Sequence, residues 1–285
     1  MSTFPVSLTT PLPMTNEDGT RTAVVAAMPR VLNESALLSL NVPGGLATGG
    51  VNGRYWLARC GVQNETERWS QWQIYLRRPL FGVTLRPGLT AEEGDTWECY
   101  LPLNGAPGYD WLLQQPVGQA INLLGPFGQG FTLQPNNRNL LLLTDAVQAP
   151  LLFGLSNVML DRGGRVTLLV QGTVEAVTTL TPLLPIPVEV RQATTETAWT
   201  EQIAELTPWA DQVCVALPQG QLSTVAALIR QHRFRVDASF AQVLVEADLL
   251  CGVGACLACV VPVRDAGYTR ECVHGPVMSL TEIAF

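Results

Sequence analysis

The sequence predicts an antiparallel β-barrel, then a doubly wound parallel α/β domain, then a small cysteine-rich loop region. Three observations predict this order. From Arg21 to about Phe131, short β-prone runs alternate with glycine and proline. From Asn139 to Phe234, apolar strand-like runs alternate with segments of helical spacing. The last stretch holds Cys251, Cys256, Cys259 and Cys272 among small residues. Runs of strands give barrels or sandwiches, whereas alternating strands and helices give a parallel sheet.

Length and composition bound the reading. At 285 residues the chain can hold two domains and an appendage. With 47% hydrophobic and 14% charged residues it is globular and rather apolar. The net charge of −7 and the lack of any basic cluster disfavour nucleic-acid binding. Every basic residue is arginine, so neither a Schiff-base lysine nor a P-loop lysine is available. His232 and His274 are the only histidines, which excludes a histidine-rich metal site. Residues 1–20 read as a polar tail without an apolar leader core, and runs such as Leu140–Leu143 are too short to span a bilayer. A cytoplasmic protein with no membrane segment is the expectation.

In chain order, the first domain (21–135) carries the strand-like runs TAVVAAM, SALLSLNV, RYWLARC, WQIYLRRPL, TWECYLPL and QAINLLGPF. The second (136–238) opens with NLLLLTDA, a buried parallel strand. APLLFGLSNVMLDRGG reads as a helix ended by Gly163-Gly164. Strands are expected at RVTLLVQG, PVEVRQA and DQVCVALP, and helices at TAWTEQIAEL and QLSTVAALIRQH. His232, Arg233 and Arg235 follow the last helix, where positive charge complements the dipole. Cys60, Cys99 and Cys214 are scattered singly and read as buried small hydrophobes.

The third region (239–285) contains EADLLCGVGACLACVVPVRDAGYTRECVHGP, residues 246–276. Its first three cysteines have the spacing C-x4-C-x2-C, and a fourth follows at a distance, which is the plant-type [2Fe–2S] arrangement. A loop around such a cluster aims thiolates inward while its amides face the sulfides. Gly252 and Gly254 permit that wrap, and Ala255 and Ala258 keep it tight. Zinc would favour paired C-x2-C units, and only Cys256 and Cys259 form one. Disulfides are disfavoured without a secretory signal. The expected metal ligands are Cys251, Cys256, Cys259 and Cys272, and His274 lies close enough in sequence to tune the sulfurs or simply to sit in a loop.

CGVGACLACVVP and ECVHGPV resemble the cluster motif of the electron-transfer subunits of class 1B dihydroorotate dehydrogenases (PyrK-like), members of the ferredoxin–NADP reductase superfamily. All four cysteines, the glycines, Glu246 and Gly275-Pro276 match; the rest of the chain agrees in layout and in scattered motifs. The resemblance implies a flavin-type barrel, a Rossmann-like nucleotide domain and a [2Fe–2S] region. It implies FAD as a candidate cofactor. It also implies a catalytic flavoprotein partner of the dihydroorotate dehydrogenase type in a hetero-oligomer that serves pyrimidine biosynthesis.

The carried-over flavin residues are Arg78 and Pro79, Gly105 and Gly108, and Gly125, Gly128 and Gly130. Arg78-Pro79 matches the start of the family's R-P-x-S segment, but Phe81 stands where the family has serine. Gly105 and Gly108 keep part of a G-x-G-T phosphate turn, with altered spacing and no threonine. Gly125-Pro126-Phe127-Gly128-Gln129-Gly130-Phe131 is similar to the G-P-L-G-x-G-F that closes the family's barrel.

The nucleotide motifs depart further. Where relatives have a G-G-G-x-G-x-A-P loop, this chain has Thr144-Asp145-Ala146-Val147-Gln148-Ala149-Pro150. Only Ala149 and Pro150 remain, and Asp145 puts a negative charge where a pyrophosphate would sit. The later C-G-P turn appears as Val215-Ala216-Leu217-Pro218 after Cys214. NAD(P)H binding is therefore expected to be reduced or lost. Two further readings stay open: a cluster-bearing paralogue without flavin or nucleotide activity that serves assembly or regulation, and a zinc-stabilised module.

Overall fold

The structure, a computed structural model, describes residues 15–43, 52–61, 70–88, 93–265 and 267–284. Of the tail expected over 1–20, residues 1–14 lie outside these. No helix among the described residues is long and apolar enough to cross a membrane.

The first half is a closed antiparallel barrel. Strands β1 (Arg21–Leu32), β2 (Ser35–Val42), β3 (Tyr55–Ala58), β4 (Arg78–Arg86), β5 (Asp95–Pro102) and β6 (Ala120–Phe127) join in the order β1-β2-β5-β4-β3-β6. Closure leaves no sheet edge exposed. The interior is apolar, with Leu38, Leu40, Leu80, Leu101, Ile121 and Leu123 all fully buried. Trp56 and Trp97 cross there edge-to-face at 5.3 Å between ring centroids, a preferred geometry for aromatic pairs. The short helix α1 (Pro107–Leu113) plugs one end through Tyr109 and Leu112.

One sequence expectation fails here. The run WQIY is not strand: Trp72–Ile74 form a single 3-10 turn, closed by Ile74 N–H to Gln71 C=O at 3.1 Å. Its Trp72 faces solvent while Ile74 packs on the barrel core, so the segment lacks the alternating burial that holds a strand extended. The strand begins only at Arg78.

The second half is a six-stranded sheet in the order β14 (Val277–Ser279), β11, β10, β7, β8, β9. Its parallel strands are β7 (Asn139–Asp145), β8 (Arg165–Gln171), β9 (Glu189–Ala193), β10 (Gln212–Ala216) and β11 (Ala241–Leu244). Leu140 to Leu143 are at most 1% exposed, and burying each such leucine is worth about 1.5–3 kcal/mol. Helix α2 (Pro150–Asp161) and the short α3 (Val174–Leu180) pack on one face, with Leu151, Leu155 and Leu180 in its core. Helices α4 (Glu196–Leu206) and α5 (Gln219–His232) cover the other, through Trp199, Ile203, Leu222 and Ile229. The sheet is thus doubly wound.

Gly154 sets the contact between the halves. A Cβ there would collide with Asn52 Oδ1 and the Val83 carbonyl, so glycine lets α2 lie directly on the barrel backbone.

The cysteine stretch leaves the sheet after β11 and returns to it as β14 (Val277–Ser279), antiparallel to β11. Between them lie the hairpin β12 (Val260–Val263) with β13 (Gly267–Arg270) and the single-turn helix α6 (Glu271–His274). The region expected over 239–285 therefore supplies two strands of the α/β sheet as well as the cysteine loop.

Candidate cluster site and adjoining cavity

The loop that carries the first three cysteines is bent by left-handed backbone. Gly252 (φ 73°), Gly254 (φ 76°) and Leu257 (φ 59°) adopt it. At Gly252 glycine is required twice, because a Cβ would also lie 2.6 Å from the Phe127 ring. The turn aims amides at sulfur. The N–H groups of Cys256, Val253 and Ala255 donate to the Cys251 thiol, and that of Gly254 donates to Cys272.

The four cysteines come together as two pairs. Cys251 is hydrogen-bonded to Cys256, and Cys272 to Cys259. One backbone bond, Glu271 N–H to the Cys259 carbonyl at 2.9 Å, ties the second pair. The pairs differ in burial. Cys256 is exposed and Cys251 partly so, whereas Cys259 and Cys272 are buried against Tyr55, Leu57 and Leu249, with Phe127 alongside.

Burial raises the Cys251 pKa, but its amide donors outweigh that and bring the thiol down to about 6. A thiol so placed is largely thiolate at neutral pH, the form that binds metal. Cys272 moves the other way. Burial, and then the adjacent Cys259, push it up to about 12. Two inward pairs, with amides pointed at sulfur, fit a two-iron centre that takes two thiolates per iron. His274 is exposed and borders surface grooves away from the sulfurs. Cys60, Cys99 and Cys214 are buried singly, and burial pushes the thiols of Cys99 and Cys214 far up.

Glu271 precedes Cys272 and is fully buried, with no hydrogen-bond partner among the described residues at either carboxylate oxygen. Burial, then Glu246, push its pKa up to about 8. No sequence pattern flagged it, because the residue between Arg270 and Cys272 reads as solvent-facing until the fold buries it.

A cavity of about 720 Å³ adjoins the loop. Arg78 and Pro79 line it, facing Leu250 and Ala258, the neighbours of Cys251 and Cys259. Its walls are mixed: Phe81, Leu249 and Val261 are apolar, while Arg77, Arg78, Tyr100 and Tyr109 bring polar groups. That mixture and size suit an aromatic cofactor. Gly108 lies under Arg78, where a Cβ would sit 2.7 Å from Nε. Gly105 (φ 72°) is a turn residue between Asn104 and Ala106, both of which line the cavity. Gly125, Gly128 and Gly130 are not among its lining residues. Instead a Cβ on Gly128 would meet Pro276 at 2.5 Å, and one on Gly130 the Asn52 carbonyl at 2.5 Å. Gly128 thus lets the end of the barrel press against the cysteine segment, where Gln129 N–H donates to the Gly275 carbonyl at 2.6 Å.

Residues 246–284 match the family described as the iron–sulfur cluster binding domain of dihydroorotate dehydrogenase B. Over a longer stretch the chain is similar to dihydroorotate dehydrogenase B electron-transfer subunits. It is 28% identical over 221 residues to the electron-transfer subunit of Dihydroorotate dehydrogenase B (NAD(+)) from Shouchella clausii, covering 74% of this chain and 80% of that one. It is 33% identical to the homologue from Aquifex aeolicus over 85 residues, 30% of each chain. Among solved structures it resembles an NADH-dependent reduced ferredoxin–NADP oxidoreductase, with a TM-score of 0.67 and 16% identity over 92% of this chain and 89% of that one. The ferredoxin reductase of carbazole 1,9a-dioxygenase superposes with a TM-score of 0.58 at 15% identity, over 79% of this chain and 68% of that one. These structural likenesses show the ferredoxin reductase-like fold, and with it the barrel plus α/β layout expected from the sequence.

Proposed function

We propose that this chain is an electron-transfer subunit. It holds a [2Fe–2S] cluster on Cys251, Cys256, Cys259 and Cys272 and an FAD in the cavity beside them. Its partner is a catalytic flavoprotein of the dihydroorotate dehydrogenase type, and it works in the cytoplasm. The observation that carries the reading is the pairing of the four cysteines round a loop whose amides point at sulfur.

When bound, a flavin would convert between two-electron and one-electron transfer and the cluster would carry single electrons. The chain's own residues supply position and insulation. Leu250 and Ala258 form the wall common to cavity and loop. Tyr55, Leu57 and Leu249 keep water from the Cys259–Cys272 pair. Arg78 reaches the cavity as a guanidinium suited to phosphate. On the outer side, Val253 (63% exposed) and Leu257 (60%) flank exposed Cys256. An apolar rim at the exposed pair suits contact with a protein partner.

The test is anaerobic purification with iron, sulfide and flavin counts and a visible spectrum. Two irons, two sulfides and one flavin per chain are expected on stoichiometric grounds. Zinc without sulfide would defeat the reading. A cluster-bearing paralogue without flavin is the second reading, favoured by the hydrogen bonds that Arg77, although it lines the cavity, donates to the Leu57 carbonyl and to Asn122. A full cluster spectrum with no flavin after reconstitution would establish it.

A further inference from the structure

We infer that the nucleotide-type domain is closed to nicotinamide dinucleotides by the chain's own Asp145 carboxylate, which occupies the place of a pyrophosphate. The relatives carry NAD(+) in their name; the residues of this chain do not fit that group.

In doubly wound sheets a dinucleotide binds outside the carboxyl ends of the strands, with its pyrophosphate on free amides at a helix N-terminus. The corresponding turn here runs from the end of β7 into α2, and every amide in it is accounted for. Val147 N–H and Gln148 N–H donate to Asp145 Oδ1 at 3.0 and 2.7 Å. Ala149 N–H donates to the Asp145 carbonyl at 3.1 Å. Pro150 has no N–H. Leu151 and Leu152 donate to the carbonyls of Gln148 and Ala149 at 3.0 and 3.1 Å. No donor in the turn is left for a phosphate oxygen.

The space in front of the turn carries the wrong charge as well. A cavity of about 540 Å³ opens at the ends of β7, β8 and β9. Asp145, Glu175, Gln171, Thr173, Thr194 and Gln221 line it, and among the described residues no basic side chain does. A dinucleotide would bring two or more phosphate charges against two carboxylates with no cation to offset them. The inference rests on these residues alone and holds whether or not the cysteines carry iron and the other cavity carries flavin.

The test is titration calorimetry of the purified chain with NADH and with NADPH, followed by anaerobic mixing of each with the coloured protein. No binding up to about 1 mM is expected, and no bleaching by either nucleotide where dithionite bleaches fully; a wild-type Kd below about 100 μM would overturn the inference. Asp145→Ala frees two amides and removes the charge, so it is expected to bind NADH at least about tenfold tighter than wild type. Asp145→Asn keeps an acceptor but loses the charge, so a smaller gain is expected; it carries the comparison if Asp145→Ala does not fold. A folded variant that binds no tighter than wild type would show that Asp145 is not what closes the site.

Discussion

Two turns of this molecule solve the same geometrical problem in opposite ways. Each is a bend that follows a sheet strand and gathers backbone amides in a concave face. In the cysteine loop the amides of Val253, Gly254, Ala255 and Cys256 converge on thiols that a metal would bridge. In the turn after β7 the amides of Val147 and Gln148 converge on a carboxylate of the same chain. The first holds Gly252 and Gly254 and stays open to a guest. The second has no glycine and supplies its own anion. Amides at a bend therefore mark a ligand site only when their acceptor comes from outside.

The comparison breaks most visibly at the sulfurs. Cys256→Ser and Cys259→Ser are each expected to abolish the visible chromophore, whereas Asp145 variants should retain it. Iron, sulfide and absorbance measurements decide this, and a full spectrum in either serine variant refutes the ligand set. Cys259→Ser should also lower the melting temperature more, because Cys259 is buried and Cys256 is not.

Backbone geometry gives the next effect. Gly252→Ala places a Cβ against Phe127 on left-handed backbone and should cost about 1–3 kcal/mol. Adding Phe127→Leu should recover the steric share and leave the backbone share, as read from denaturant melts. The counterpart in the other turn, Ala149→Gly, lies at an ordinary helical φ of −48° and should cost about 0.5–1 kcal/mol. Equal costs would erase the distinction between a turn that needs glycine and one that does not.

Asp145→Ala should destabilise the fold by about 0.5–2 kcal/mol, since the carboxylate caps two amides of the turn into α2. A variant as stable as wild type would mean that water replaces the carboxylate without loss.

The smallest effect concerns pH. Burial raises the pKa of Asp145, and burial followed by repulsion from Asp145 raises that of Glu246. An acid with a raised folded pKa holds its proton in the native state at pH values where the unfolded chain has lost it. Stability therefore falls as pH rises from the ordinary carboxylate range through the raised values, and is level above them. Glu246→Gln keeps an acceptor for the Gln148 amide, which donates to Glu246 at 2.7 Å, and removes one titration. Melting temperatures should then fall less steeply with pH than in wild type. The change should be small, because Glu246 faces the open cavity, where solvent screens it.

Much of this was legible in the sequence. The C-x4-C-x2-C spacing named the loop, the alternation of apolar runs with helical segments named the sheet, and the replacement of glycine by Asp145 marked the closed turn. What stayed hidden is non-local. Gly128 reads as part of a barrel turn, and only the fold brings it against Pro276. The run WQIY has the composition of a strand, but Trp72 faces solvent while Ile74 packs on the barrel core, the one-sided burial of a turn. Arg78 was legible by motif, whereas Leu250 and Ala258, the wall between cavity and loop, gave no signal because apolar residues beside cysteines are ordinary. That Asp145 folds back to satisfy its own turn, rather than merely repelling a ligand, could be read only from the hydrogen bonds.

The whole cysteine excursion departs from β11 and comes back as β14, and these two strands are hydrogen-bonded to each other, Gln242 opposite Ser279. Both feet of the insert thus stand side by side on the rim of an otherwise finished sheet. The excursion therefore begins and ends at one border of the sheet and adds no crossover to the strands beneath it.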